Sequence, residues 1–276
     1  SGPWLPLRGD KITATIAQSG RGAGFDLPCG TFTIDEIEFS GPPSIVSIKG
    51  ASVPSNSDIM RRQRSRACEN VRLSEIVQDV ALAGGMSVLY MIDNDPIYDR
   101  RDQRDESDMA FLNRLCEDEG FCLKSTDNQI VVFDPRVQEE SDPVATIRIG
   151  GGRVKSYRFS AQTYDVYARC IVEYTDPQSG KLIQYTYEQP GVEKGKTMKL
   201  VRRAENIAEA ERRAAAALYR SNRGEVTGTL ELIGDTRLSA GQTIIIEGAG
   251  QFSGRYYIEK SSHSIASGYT TTIDVN

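Results

Sequence analysis

Hydrophobic residues recur every three or four positions between Ser107 and Gly120, which is the spacing of an amphipathic helix. Ser107 can cap the start of this helix, and a glycine at position 120 is typical of a helix end. Two apolar runs follow, Phe121–Lys124 and Gln129–Phe133, with turn-forming residues between them. The pattern predicts a helix that leads into a β-hairpin and packs on it, as a small α+β unit.

Two other stretches have helical spacing. One runs from about residue 74 to 85, and we expect it to pack against the first helix. The other, residues 204–222, is alanine-rich and places Glu209 four positions before Arg213, where the two side chains can pair. The small residues of this second helix permit close packing against a neighbour.

The rest of the chain consists of short runs that alternate hydrophobic and polar residues, as strands do. Residues 1–55 predict a β-meander. Residues 167–174 and 182–187 predict a hairpin across the turn at 176–180. The last four runs, separated by glycine turns, are 226–233, 243–247, 255–260 and 269–275. Short strands at regular spacing favour a small barrel.

The polar, helix-breaking residues 138–143 predict a domain boundary. The predicted fold class is therefore mainly β (α+β). Its parts are a first β-barrel-like domain at 1–66, an inserted α+β domain at 67–141, and a second β-barrel-like domain at 142–276 that carries the helix at 204–222.

The composition limits the classes of partner. A net charge of -5 and a pI of about 5.2 give no general electrostatic reason to bind nucleic acid or an anionic membrane. No apolar run approaches the ~20 residues that span a bilayer, and the first residues lack the form of a signal peptide, so we expect a soluble protein made in the cytoplasm. Five widely spread cysteines, an odd number, predict reduced, buried thiols.

One short basic run stands out in this acidic chain. Its arginines are Arg61, Arg62, Arg64 and Arg66. Such a run can clamp phosphates, but a single patch of this kind favours a linker or a surface that faces an acidic partner. We take these four arginines as candidate partner-facing residues.

Residues that could carry chemistry are sparse. His263, the one histidine, has no nucleophile-elbow motif to accompany it, and no C-x-x-C pair exists. A calcium loop counted from Asp93 has Tyr98 where glycine is needed and Arg104 where the closing carboxylate belongs. The glycine-rich loop at 20–24 is not followed by a helix signal, as a phosphate-binding loop would be. We predict no catalytic, cofactor-binding or metal-binding residue.

Several pieces of the chain, in one order, resemble the late-control D proteins of contractile-tailed phages. Five are W-L-P-L-R-G-D-K-I-T-A-T-I (Trp4–Ile16), G-T-F-T-I-D-E-I-E-F-S-G-P-P (Gly30–Pro43), R-Q-R-S-R (Arg62–Arg66), L-S-E-I-V (Leu73–Val77) and E-S-D-M-A-F-L-N-R-L-C-E-D-E-G (Glu106–Gly120). The C-terminal pieces are Leu238–Gln242 and, as the last barrel strands, Gly254–Ile258 with His263 and Gly268–Ile273. The resemblance covers nearly the whole chain.

The resemblance implies a baseplate hub, related to the hub portion of type VI secretion spike proteins. Members of that family have two similar barrels per chain, so that a homotrimer presents six barrels between the tail tube protein and the central spike protein. The implied location is the virion tail, next to other baseplate proteins, after assembly in the host cytoplasm. Family members usually carry more strands before the Trp4 segment, so we expect the first barrel to be incomplete at its N-terminus.

Two other classes stay open. Two carboxylates suffice for glycoside cleavage, so a cell-wall glycan hydrolase of the tail tip is the enzyme alternative, with Glu36, Glu38, Glu117, Glu119, Glu173 and Asp176 available. A carbohydrate- or nucleic-acid-binding β-module is the other alternative. The interpretation we carry forward is a structural protein that is not an enzyme, needs no cofactor, and binds neither nucleic acid nor membrane.

Overall fold

The computed structural model describes residues 6–17, 26–52, 57–126, 128–162, 166–175, 180, 182–192, 195–201, 204 and 206–276. Strands dominate and helices are few, so the predicted mainly β (α+β) class is confirmed. The glycine-rich loop at 20–24, the turn residues 176–179 and Trp4 lie outside the described residues.

The N-terminal region is an antiparallel meander of β1 (Lys11–Ile16), β2 (Leu27–Ser40) and β3 (Ile45–Ala51). Cross-strand partners share a face. One face is apolar and consists of Ile12, Phe32, Ile34, Ile37, Phe39, Val46 and Ile48. A bulge at Asp35 keeps the apolar residues before and after it on the same face. Only Ile34 of this sheet is buried, so the apolar face has no core beneath it among the described residues.

Residues 57–139, which we call the inserted unit after the predicted inserted domain, contain both helices and strands. Its elements are α1 (Ser57–Arg61), β4 (Gln63–Arg72), α2 (Leu73–Gly84), β5 (Ser87–Met91), β6 (Ile97–Ser107), α3 (Asp108–Glu119), β7 (Cys122–Ser125), β8 (Gln129–Phe133) and α4 (Pro135–Glu139). The predicted helices and the β7–β8 hairpin are confirmed. β8 also pairs in parallel with β5, and β4 pairs with β6 in a separate ladder.

The local signals for α3 act as the sequence predicts. The Ala110 amide donates to Ser107 Oγ over 3.3 Å, and Gly120 ends the helix with φ of 80°. α2 and α3 share one hydrophobic cluster that extends from Ile59 to Val132. The predicted boundary after residue 66 therefore falls inside β4, and the core of the inserted unit begins earlier, at Ile59.

The second half contains two sheets. Its elements are β9 (Ala145–Arg148), β10 (Val154–Ala161), β11 (Tyr167–Thr175), β12 (Leu182–Glu188), β13 (Lys196–Val201), α5 (Ile207–Asn222), β14 (Val226–Ile233), β15 (Thr243–Glu247), β16 (Gly254–Ile265) and β17 (Tyr269–Val275). The larger sheet is a half-barrel with the strand order β10-β14-β17-β16-β15-β9. The predicted β11–β12 hairpin is confirmed.

β11, β12 and β13 do not join the half-barrel, which the sequence did not indicate. They form a sheet of their own, in which β13 runs parallel to β11. Cys170, Val172 and Leu200 lie on the face of this sheet that α5 covers, beside Ala210 and Leu218 of the helix. The alanine-rich helix therefore serves as the second layer of this small sheet.

Candidate interaction surfaces

The basic run extends from the last residue of helix α1 into β4, so it is part of the folded inserted unit and not a linker. Arg61 and Arg62 are exposed at the end of α1. Arg64 and Arg66 are partly buried on β4. The structure thus divides the four candidate arginines into an outer pair, Arg61 and Arg62, and an inner pair, Arg64 and Arg66. That these four arginines face a partner stays a prediction.

The inner pair faces a buried carboxylate. Asp108, whose side chain is 1% exposed, begins α3, with Arg64 Nε 3.4 Å from Oδ2 and Arg66 Nη2 3.5 Å from Oδ1. Gln103 Nε2 donates to Oδ1 over 3.0 Å. A carboxylate at a helix N-terminus is stabilised by the helix dipole, and the two guanidinium groups offset the cost of its burial. The sequence pattern did not indicate this contact, because it joins residues that are far apart along the chain.

A second ionic cluster joins the inserted unit to helix α5. Glu209 accepts from Arg101 Nη2 over 2.6 Å and lies 2.9 Å from Arg213 Nη2, which confirms the predicted Glu209–Arg213 pair. Arg213 also contacts Asp118 of α3 over 3.0 Å. Glu209 is 2% exposed, so its charge is held by these arginines inside the protein.

Close helix packing accompanies these ion pairs. A Cβ atom at Gly120 would come within 2.9 Å of the Ala216 Cβ. The end of α3 therefore lies so close to α5 that a side chain at position 120 would clash. Next to this point, Arg212 Nε donates to Glu119 Oε2 over 2.6 Å. Together the contacts fix the inserted unit on the second half of the chain.

His263 does not activate a nucleophile. Its Nε2 lies 3.1 Å from Ser261 Oγ, but that hydroxyl donates to the Leu238 carbonyl over 2.5 Å. Its Nδ1 faces the hydroxyls of Tyr269 and Thr271, where a catalytic triad has a carboxylate. Burial lowers the pKa of His263. The side chain ties β16 to β17, which is a structural role.

The five described acidic residues considered for glycan cleavage are divided among three elements, with Glu36 and Glu38 on β2, Glu117 and Glu119 on α3, and Glu173 on β11. Glu36, Glu119 and Glu173 are each bound to a neighbouring cation or amide. Asp176 lies outside the described residues. Among the side chains that the structure describes, no three of His, Cys, Asp or Glu are placed to hold a metal ion.

The acidic segment after Asp93, which the sequence predicts as a solvated loop and not a calcium site, supports the start of helix α2. Asp95 Oδ2 accepts from Ser74 Oγ over 2.6 Å and Asp95 Oδ1 from the Tyr90 hydroxyl over 2.5 Å, at the start of α2. The five cysteines are free thiols, but of these predicted buried thiols only Cys116 and Cys170 are buried, whereas Cys29, Cys68 and Cys122 are partly buried. Burial raises the pKa of Cys116 to about 12 and that of Cys170 to about 11, so both stay protonated at neutral pH.

In the described parts of the chain no helix is long and apolar enough to cross a bilayer.

A cleft of about 590 Å³ lies between the inserted unit and the second half of the chain. Residues after β5, the end of α3, the segment around α4, β12 and the second turn of α5 line it. Its apolar part includes Met91, Phe121, Val137, Tyr187 and Ala215. A position between two units, with both apolar and charged walls, is typical of binding surfaces.

The sequence is similar to known phage tail proteins. The model of the phage tail baseplate hub (GPD) family matches residues 53–269. The probable baseplate hub protein of Escherichia phage 186 is 32% identical over 118 residues, which cover 42% of this chain and 29% of that protein. The chain therefore aligns with less than a third of the length of this relative.

Two solved structures share the fold at low sequence identity. The 43 kDa tail protein of prophage MuSo2 from Shewanella oneidensis superposes with a TM-score of 0.68 at 13% identity, covering 96% of this chain and 88% of that one. The E. coli c3393 protein, a component of the type VI secretion system, superposes with a TM-score of 0.56 at 14% identity, covering 95% and 63%. With most of the sequence matched by the family model, the chain belongs to the phage tail baseplate hub (GPD) family.

Proposed function

We propose that this chain forms a homotrimeric ring of pseudo-six-fold symmetry in the baseplate and joins the tail tube to the central spike. The family match over residues 53–269 is the observation that carries the proposal. The six-stranded half-barrel in the second half supplies one barrel-like unit per chain. The N-terminal sheet, whose apolar face has no core beneath it in the described part of the chain, supplies the start of another.

The proposed symmetry has a physical purpose. A tube of stacked hexamers needs a six-fold surface, whereas a trimeric spike needs a three-fold one. Three copies of a chain with two similar barrels offer both through closed heterologous contacts. The tube protein, the spike protein and other baseplate proteins are thus the proposed partners, in the virion tail after assembly in the host cytoplasm.

The proposed role is structural and not enzymatic. The Ser261 hydroxyl is directed at a carbonyl, and the buried carboxylates Asp108, Glu119 and Glu209 are bound to arginines. The pairs of Glu119 and Glu209 hold the inserted unit to the second half of the chain, and the pairs of Asp108 stabilise the inserted unit itself. A hub that transmits force through permanent interfaces benefits from such fixed contacts and needs no titrating group.

Sedimentation equilibrium of the purified chain tests the proposal. The expected mass is three times the 30.4 kDa of the chain, at micromolar concentration. A stable monomer or dimer at all concentrations would count against the ring. A parallel assay on purified cell walls tests the enzyme alternative. Release of soluble glycan by the chain would contradict a purely structural role.

A further inference from the structure

The cleft between the inserted unit and α5 has an apolar floor. Phe121 and Tyr187 are partly buried in it, whereas Met91 and Val137 are 42% and 57% exposed. Large exposed apolar side chains gathered in one concave surface favour contact with another apolar group. A cleft of about 590 Å³ is large enough to receive a side chain and its neighbouring backbone.

The charges of this cleft do not cancel. Arg212 is bound to Glu119 over 2.6 Å, and Arg136 to Asp134 over 2.7 Å, so each of these pairs is neutral. The other carboxylates that line the cleft are Asp93 and Glu211, both exposed. Glu211 accepts from the Tyr185 hydroxyl, which leaves its negative charge in place. The cleft thus suits an apolar group flanked by cations.

The same chain exposes such a group elsewhere. Met60 at the end of α1 is 41% exposed, and Arg61 and Arg62 beside it are also exposed. We name residues 60–62 the α1 turn. α1 packs on α2, α3 and β6, and none of its residues lines the cleft. The α1 turn and the cleft are therefore two different patches of one molecule, as a heterologous contact between identical chains requires.

We propose that, in the ring, the cleft of one copy receives the α1 turn of the next, with Met60 on the apolar floor and Arg61 and Arg62 against Asp93 and Glu211. This inference rests on the proposed function, because a heterologous contact between identical chains forms a closed assembly only when the copies are arranged in a ring. It gives the two outer arginines of the basic run a defined partner. Opposite charges across such a contact also fix the register of the neighbouring copies.

Charge reversal tests the contact. One variant carries Arg61→Glu and Arg62→Glu, a second carries Asp93→Arg and Glu211→Arg, and a third carries all four changes. Each double variant places like charges opposite each other and should raise the dissociation constant of the trimer by about 100-fold or more. The quadruple variant restores opposite charges at every contact and should assemble within about 10-fold of the original chain.

Sedimentation equilibrium, with circular dichroism to verify folding, gives the result. A matched control reverses two exposed arginines of β6, Arg100→Glu and Arg104→Glu, and should leave the assembly unchanged. The inference is overturned if both double variants assemble as the original chain does, or if the quadruple variant stays as weak as the doubles. An original chain that is monomeric overturns the proposed ring itself, which distinguishes the two failures.

Discussion

The inserted unit and the N-terminal sheet use similar hydrophobic patterns but differ in what those patterns bury. Fourteen buried side chains, from Ile59 to Val132, form one cluster in the inserted unit, because α2 and α3 cover its strands. In the β1–β3 sheet Ile34 is buried, whereas Phe39 at the tip of the hairpin is 73% exposed. Alternation is enough to make strands, but a core needs a second layer.

This difference separates regions that stabilise the chain from regions that remain available to others. Burying an apolar side chain contributes about 1.5–3 kcal/mol, so the inserted unit gains stability from its own sequence. The N-terminal sheet gains little of this within the described chain. We therefore expect substitutions in the two regions to differ sharply in their effect on the free energy of unfolding.

The largest effect is expected for Phe111→Ala. Phe111 is fully buried between the helices and strands of the inserted unit, so its truncation removes apolar contacts and leaves a cavity. The free energy of unfolding should fall by about 3–5 kcal/mol. Urea unfolding monitored by circular dichroism measures it. A loss below about 1 kcal/mol contradicts the assignment of this cluster as the main core of the unit.

A smaller effect is expected for Glu209→Gln. The change removes the charge that Arg101 and Arg213 share, at a position that is 2% exposed. We expect a loss of about 2–3 kcal/mol, since hydrogen bonds to charged groups are worth about that much when buried. Glu231→Gln is the matched control, because the Lys155–Glu231 pair is exposed and should contribute less than about 1 kcal/mol. Equal losses of unfolding free energy in the two variants would contradict the burial of the Glu209 ion pairs.

The smallest effect is expected for Phe39→Ser. Phe39 is exposed and the described residues form no core beneath it, so its replacement should change the free energy of unfolding of the isolated chain by less than about 0.5 kcal/mol. The same urea titration measures it, side by side with Phe111→Ala. A loss near that of Phe111→Ala would show that the N-terminal sheet has a core of its own, and the comparison of the two regions would then be wrong.

Local signals made much of this fold predictable. Ser107 and Gly120 mark both ends of α3 because capping depends on neighbouring residues. Glu209 and Arg213 pair because four positions make one helical turn. Long-range pairings could not be derived in this way. The parallel pairing of β5 with β8 and the separate β11–β13 sheet depend on which strands meet after folding.

The candidate surface was predictable only in part, for the same reason. The sequence identified the basic run, but only the fold shows that Arg64 and Arg66 face Asp108, 42 or more positions further along the chain, while Arg61 and Arg62 face outward. The cleft could not be predicted, because Met91, Phe121 and Tyr187 come from separate segments.

Electron microscopy of the purified assembly tests the central proposal most directly. Averaged images should show a closed ring of three copies around an axial channel, with six barrel-like densities in its wall. Two-fold symmetry, an open filament, or a single copy with no ring at any concentration would contradict the proposed adaptor between tube and spike.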